Sequence, residues 1–178
     1  MIRKLEPEDI GRVAEIHVFA WRTTYRFLID DSYLFCKLSV EKSRKSFERI
    51  LSDKQFDVLI LEENKIIMGF IVYGQRRNAL DVDTLEVLAL YVDPLMKRNG
   101  VGRQLFQAVE EKGLKNGFSR IKLSVAAENK DTIKFYEAMG MCTPGTTKLN
   151  ETIGIHTLDY TKPILLSLLR EQKNQAHT

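Results

Sequence analysis

Cysteine is scarce in this chain: two occur in 178 residues, Cys36 and Cys142, and neither stands in a CxxC or Cys/His spacing. That pattern excludes a disulfide framework, argues against a metal centre, and reads as two reduced thiols of a cytoplasmic protein. Proline is confined to four positions, and no Gly/Ser/Pro-rich linker or internal repeat divides the sequence, so a single domain is expected. No apolar run approaches the length of a membrane span, and the opening MIRKLEPEDI lacks the apolar core of a signal peptide. Charge of one sign is lacking too. The 27 basic residues nearly balance 24 acidic ones and are spread along the chain, which argues against a nucleic-acid partner. Two phosphate signatures are missing, GxxxxGK[ST] and GxGxxG.

What is present reads as alternating helices and strands. Ile2 to Leu5 form a short strand, and Pro7 sits where a helix begins, since its missing N–H costs nothing there. Ile10, Val13, Ala14, His17, Val18 and Trp21 follow at helical spacing. A lone histidine on that stripe, His17 reads as packing. The segment WRTTYRFLIDDSYL is aromatic and irregular, either a wall over a substrate or simply core, with Asp30-Asp31 able to cap a following helix. From Val40 to Leu51 a helix presents Val40, Phe47, Ile50 and Leu51 on one face.

DVLILEE and KIIMGFIVYG read as a hairpin turning at Glu63-Asn64, with Gly69 marking a bulge or a close backbone approach. A polar loop, Gln75 to Ala79, leads to a strand over Thr84 to Val92 that stops at Asp93-Pro94. Thr143-Pro144-Gly145 is a turn. Thr152 to Tyr160 reads as one last strand with Ile153 and Ile155 on one face. Pro163 opens a short apolar helix and tail over residues 164–178, beyond a domain of residues 1–163. Its Leu165, Leu168 and Leu169 are positioned for packing on the body or on a second copy, so a homodimer is a further reading.

The chemistry concentrates between Leu85 and Met141. Lys97-Arg98-Asn99-Gly100-Val101-Gly102-Arg103 joins a strand to a helix marked by Val101, Leu105, Ala108 and Val109. The first turn of such a helix carries unpaired N–H groups and partial positive charge, glycines admit a bulky anion, and Lys97, Arg98 and Arg103 add formal charge. Ile121, Leu123 and Val125 alternate with Lys122 and Ser124 as a strand, which a right-handed βαβ crossover makes parallel to the strand ending at Asp93. Then come Asn129, Phe135-Tyr136-Glu137 and Gly140-Met141.

Lys97-x-x-Gly100-x-Gly102, Asn129, Phe135-Tyr136-Glu137 and Gly140-Met141 together resemble the signature of the GNAT superfamily of acetyl-CoA-dependent N-acetyltransferases. Lys97 stands where that family usually has Gln or Arg, and keeps the charge. WRTTYRFLIDDSYL resembles, more weakly, a segment of the polyamine and small-amine branch. The resemblance implies an α/β fold: a mixed, mostly antiparallel central sheet, helices on both faces, and a splayed parallel strand pair. It implies acetyl-CoA as cosubstrate. The backbone at Leu90, Tyr91 and Val92 would pair with the pantetheine arm. Lys97, Arg98, Asn99, Gly100, Val101, Gly102 and Arg103 would hold the pyrophosphate, Asn129 would hydrogen-bond the pantetheine, and Tyr136 would stand near the sulfur.

Elementary chemistry agrees with those roles. A tyrosine with pKa near ~10 is protonated at neutral pH and can reprotonate a departing thiolate, while a backbone N–H near Val92 can receive the carbonyl oxygen as it turns negative. Glu86, on the strand before the phosphate turn, is either the base that deprotonates the amine or an exposed strand residue. Asp30, Asp31, Asp81 and Asp83 read as caps or loop acids before they read as lures for a cation. The expected reaction is direct acetyl transfer to a primary amine of a small molecule such as a polyamine. A protein N-terminus or lysine is the next choice, and a non-catalytic acyl-CoA sensor the alternative from another class.

Overall fold

The computed structural model describes residues 1–53, 55–75 and 82–164. In chain order it comprises β1 (Ile2–Lys4), α1 (Ile10–Thr24), α2 (Val40–Ser52), β2 (Phe56–Glu63), β3 (Ile66–Gly74), β4 (Thr84–Val92), α3 (Val101–Lys115), β5 (Arg120–Ala126), α4 (Lys130–Ala138), β6 (Thr147–Asn150) and β7 (Ile155–Pro163). The strands form one seven-stranded sheet in the order β1-β2-β3-β4-β5-β7-β6. Every neighbouring pair is antiparallel except β4 and β5, which the α3 crossover makes parallel. The expected mixed sheet with one parallel pair is therefore what the chain forms.

Local chemistry sets the element ends. Asn64 and Lys65 carry φ of 50° and 65°, the two-positive-φ turn that matches the twist of a β2–β3 hairpin. The Ser39 hydroxyl accepts from the Lys42 N–H at 3.2 Å and starts α2; the Asn129 side chain accepts from the Thr132 N–H at 3.2 Å and starts α4. Ahead of α1, Asp9 accepts the Glu6 N–H at 2.9 Å and pairs with Arg3 at 2.6 Å. Among the described residues no helix is long and apolar enough to cross a membrane.

Two cores form, one on each face of the sheet. Leu85, Val87, Leu105, Phe106, Val109, Ile121, Leu123 and Tyr136 pack the face covered by α3 and α4. Ile10, Val13, Ala14, Phe47, Val58, Ile60 and Phe70 pack the face covered by α1 and α2. The aromatic connector contributes a third, smaller cluster, in which Ile29 and Leu34 meet Ala126 and Ile155 near the β5–β7 end of the sheet. Within that connector, Asp30 accepts the Ser32 N–H at 2.8 Å and a π-helical turn spans Tyr33–Lys37.

β4 departs from regular alternation. Tyr73 pairs with Val87 and Val72 with Ala89, so Leu88 is an extra residue in the ladder. A one-residue insertion exchanges the faces of everything after it. Accordingly Leu85 and Val87 belong to the α3 core, and so do Leu90 and Val92, while Ala89 and Tyr91 pack on the α1 side. Gly69 of β3 makes this possible: a Cβ there would lie 2.8 Å from the Tyr91 carbonyl oxygen, so only glycine allows so close an approach. A register shift in the β2–β3 ladder lies beside it, so the expected approach and the expected bulge are both found at this point.

Two expectations need adjustment. The strand read over Thr152 to Tyr160 is β7, which begins at Ile155 and runs on to Pro163, and an unread strand, β6, pairs with it as a hairpin. Residues 151–154 form its turn, with Gly154 at φ 69°, and Ile153 folds against the connector's cluster. In α2, Val40 and Leu51 are exposed because they lie at the two ends of the helix, and the buried centre is Ser43 and Phe47. His17 is packing, as its position implied: it is ringed by Trp21, Phe47, Phe70 and Tyr91 at 5.4–6.4 Å between centroids, with Nδ1 2.8 Å from the Ser43 hydroxyl. The apolar helix and tail with Leu165, Leu168 and Leu169, the loop beyond Gln75, and Asp81 lie outside the described residues.

Candidate active site

The parallel pairing of β4 with β5 stops early. Its register runs only from Thr84↔Arg120 to Glu86↔Lys122, although β4 continues to Val92 and β5 to Ala126. Beyond Glu86, β4 stays hydrogen-bonded to β3 on one side and β5 to β7 on the other. The bulge at Leu88 coincides with this fork. Past it the two facing edges carry main-chain N–H and C=O groups that do not pair with each other, a template for an added extended segment.

A cavity of about 510 Å³ fills the fork. Its β4 wall includes Leu88, Leu90, Tyr91 and Val92, its β5 wall Leu123, Ser124 and Val125, and its α4 wall Thr132, Phe135 and Tyr136. One end opens on the turn before α3, where Lys97, Arg98, Gly100, Val101, Gly102 and Arg103 line it. Ala20, Thr24 and Tyr25 of α1 and the connector also line it.

The α3 end is built for an anion. Arg98 and Gly100 adopt left-handed φ of 69° and 74°. Gly100 stands at the N-cap with no side chain to satisfy the first N–H groups of α3, and no acidic residue in the first turn competes for them. Those N–H groups, the helix dipole and three cationic side chains converge on one mouth. Asp93 fixes the approach to this turn: its side chain accepts the Leu95 N–H at 2.9 Å and is ion-paired with Arg12 of α1.

Phenols gather in the same cavity. Tyr136 is buried, with its ring 5.0 Å from Phe135 and 5.8 Å from Phe106. Burial first, and the neighbouring Tyr25 second, push its pKa well above the ordinary tyrosine value, so it keeps its proton. Tyr25 is likewise pushed up by burial, opposed by polar contacts from Tyr91 and Asn129. Tyr91 is pushed up by burial and by Tyr25. Trp21 packs against Tyr25 with ring centroids 5.1 Å apart and the rings tilted by 57°; its buried indole N–H feels the Tyr91 phenol but has no hydrogen bond of normal geometry.

Of the residues the sequence singled out, Leu90, Tyr91, Val92, Lys97, Arg98, Gly100, Val101, Gly102, Arg103 and Tyr136 line this one cavity. Asn99, Asn129 and Glu86 are not among its lining residues. Asn129 is buried and acts on the cavity through others, capping α4 at Thr132 and touching Tyr25. Glu86 lies on the last rung before the fork, between Gly74 and Lys122. Asp30 and Asp83 serve as loop acids, Asp83 accepting from the Ser119 hydroxyl at 2.5 Å. Sequence reasoning passed over Tyr25 as a site residue and read Ser124 only as a strand position. The available signal for Ser124 was a small polar residue between two core residues, Leu123 and Val125. Among the described residues no group of three His, Cys, Asp or Glu side chains could hold a metal.

Comparison with known proteins gives this geometry its context. The model of the acetyltransferase (GNAT) family matches residues 14–141. An uncharacterized N-acetyltransferase, YuaI of Bacillus subtilis, is 32% identical over 138 residues, covering 77% of each chain. The spermidine N(1)-acetyltransferase of Thermoplasma acidophilum is 25% identical over 143 residues, covering 78% of this chain and 86% of the relative. Among solved structures, the PaiA N-acetyltransferase of Thermoplasma acidophilum in complex with coenzyme A superposes with a TM-score of 0.71 at 23% identity, covering 89% of this chain and 96% of that one. The family match spans most of the chain and includes the fork, the α3 turn and Tyr136, so this protein belongs to the acetyltransferase (GNAT) family.

Proposed function

We propose that this protein transfers the acetyl group of acetyl-CoA directly to a primary amine of a small molecule, with polyamines as the leading substrate class. The observation that carries the reading is one cavity at the β4–β5 fork lined both by an anion-ready helix end and by a buried phenol. Acetyl-CoA is the acyl donor: its diphosphate meets the N–H groups at Val101 to Arg103, flanked by Lys97, Arg98 and Arg103. Its pantetheine arm lies along the unpaired edge of β4 at Leu90 to Val92 as an added strand. Asn99 completes the turn, and Asn129 steadies the α4 wall beside the pantetheine.

The neutral amine attacks the thioester carbonyl. A backbone N–H of β4 near Val92 receives the oxygen as charge develops on it. When the C–S bond breaks, Tyr136 gives its proton to the thiolate. Burial holds that proton tightly, but the same low-polarity surroundings strengthen the thiolate as a base, so the transfer stays matched. The amine proton leaves toward Glu86. Because Glu86 sits one rung below the cavity, a bridging water completes that path. No cysteine lies at the fork, and Cys36 and Cys142 are both at the surface, which favours direct transfer over an acyl-enzyme. The polyamine class draws support from the spermidine-acetylating relative.

Incubation with acetyl-CoA and a panel of amines, including spermidine and peptides with free N-termini, while free thiol is followed, tests the reading. Thiol release with spermidine is the expected result. Release with peptides alone moves the acceptor to protein N-termini. Tight coenzyme A binding without thiol release from any amine makes the protein a sensor and overturns the proposal.

A further inference from the structure

Ser124 occupies a distinctive place. It is the second residue after Lys122, the last β5 residue paired with β4, so it stands just inside the open stretch of the fork. Its neighbours Leu123 and Val125 point into the α3-side core, which turns the Ser124 side chain to the opposite, α1-side face. It is exposed, and it lines the same cavity as Tyr136 and Tyr25. Across the sheet it is in direct register with Asp159 of β7, and its hydroxyl donates to Asp159 Oδ1 at 2.7 Å. The other oxygen, Oδ2, accepts from Lys148 of β6 at 2.5 Å.

This chain of contacts fixes a hydroxyl rotor. An ionised carboxylate can only accept, so the single Ser124 proton is committed to Asp159 and both Oγ lone pairs are left for another donor. Burial pushes the Asp159 pKa up, but Lys148, Ser124 and the more distant Lys122 outweigh it and hold the carboxyl below its ordinary value. Asp159 therefore stays ionised at neutral pH, and the Ser124 oxygen faces the cavity as an acceptor only.

We infer that the Ser124 hydroxyl is the acceptor-side docking group, receiving an N–H of the attacking amine, and that Asp159, held by Lys148, is the positioning residue that aims it. This rests on the acetyl-transfer reading and deepens it. A primary amine at the fork has two N–H groups and one lone pair. An N–H held by Ser124 turns the lone pair away from β5, toward a thioester lying along β4. As the C–N bond forms, nitrogen becomes positive and its hydrogen bond to Ser124 strengthens, which favours the transition state over the bound amine. The proton itself leaves by the route to Glu86, and Ser124 is regenerated unchanged. The device selects amines with a free N–H and penalises tertiary amines, which have none.

Steady-state kinetics on the full chain test this, with coenzyme A affinity measured separately by calorimetry and folding by thermal melting. Ser124→Ala is expected to lower kcat/KM for spermidine, or for whichever panel amine wild type acetylates, by roughly 10- to 50-fold, with the coenzyme A Kd within about twofold. Ser124→Thr keeps the hydroxyl and is expected to stay within about threefold of wild type. Asp159→Asn can donate to Ser124 and turn its proton into the cavity, so it is expected to lose as much as Ser124→Ala although Ser124 is intact. Unchanged kcat/KM in Ser124→Ala overturns the inference. So does a loss in Ser124→Ala that Ser124→Thr shares equally, or one matched by an equal loss of coenzyme A affinity. Wild-type protein that acetylates no amine instead sinks the acetyl-transfer reading and this inference with it.

Discussion

The two flanks of β4 behave as if they belonged to different strands. Toward β3 the ladder runs from Glu86 to Val92, interrupted only by the extra residue Leu88. Toward β5 it lasts three rungs and stops at Glu86. The paired flank makes β4 rigid. The unpaired flank leaves its main chain available, and a rigid strand with an open edge is a preorganised receptor for an extended ligand. The difference teaches that this site is made by withholding hydrogen bonds from a strand that is otherwise fully anchored, with Leu88 marking where the change occurs.

Deleting Leu88 attacks that comparison most directly. Without the extra residue, Val87 and Ala89 become consecutive and keep their partners Tyr73 and Val72, so the ladder toward β3 turns regular and Ala89 to Val92 keep their faces. The core survives while the bulge at the fork is lost, so coenzyme A affinity is expected to fall by more than about 1000-fold with the protein still folded. Unchanged affinity would contradict the link between the bulge and the open flank.

Tyr136→Phe comes next and probes the open flank chemically. Turnover is expected to drop about 100- to 1000-fold while the coenzyme A Kd stays within about twofold, because the phenol proton and not the ring is removed. Equal turnover in that variant would remove the general-acid role.

On the paired flank, His17 backs Tyr91 at 5.4 Å in an apolar shell. Burial depresses its pKa from 6.5 to about 4, so the fold favours the neutral ring. The unfolded chain binds this proton first. The contribution to stability is therefore complete above about pH 6.5 and is lost as pH falls toward 4, amounting to about 3 kcal/mol. Unfolding free energies measured across that window should show the step in wild type and not in His17→Gln. A step of the same size in both would assign it to other groups.

The smallest expected effect belongs to Gly100→Val. A Cβ there meets only Gln104 Nε2, at 3.7 Å, so the cost comes from φ of 74° and from the anion mouth, not from crowding inside the protein. Coenzyme A affinity should weaken about tenfold with β4 undisturbed. Unchanged affinity would move the diphosphate elsewhere.

Much of the first half of this comparison was legible in the residues. Asp93-Pro94 ends β4, Gly100 and Gly102 open α3, and Phe135-Tyr136 falls on α4, because turns, caps and helical spacing are local and leave local traces. Gly69 likewise announced a close approach. The acceptor side was harder. Tyr25 lies in a segment without periodicity, where an aromatic residue in a wall and one in a core look alike. β6 was not read as a strand because it is exposed along its whole length and offers no apolar alternation. Ser124 and Asp159 are 35 residues apart and meet only through strand register.

By itself the sequence determined the order of elements, the parallel crossover, the anion-ready helix end and the family, since each is written in short stretches whose conformations follow from sterics, capping and hydrophobic period. Tertiary structure alone decided where β4 parts from β5, that Tyr25, Tyr91 and Tyr136 share one space, and that Asp159 lies beside Ser124. Those facts depend on which strands become neighbours and at what register, and long-range pairing is settled by packing the whole sheet, not by any segment of it.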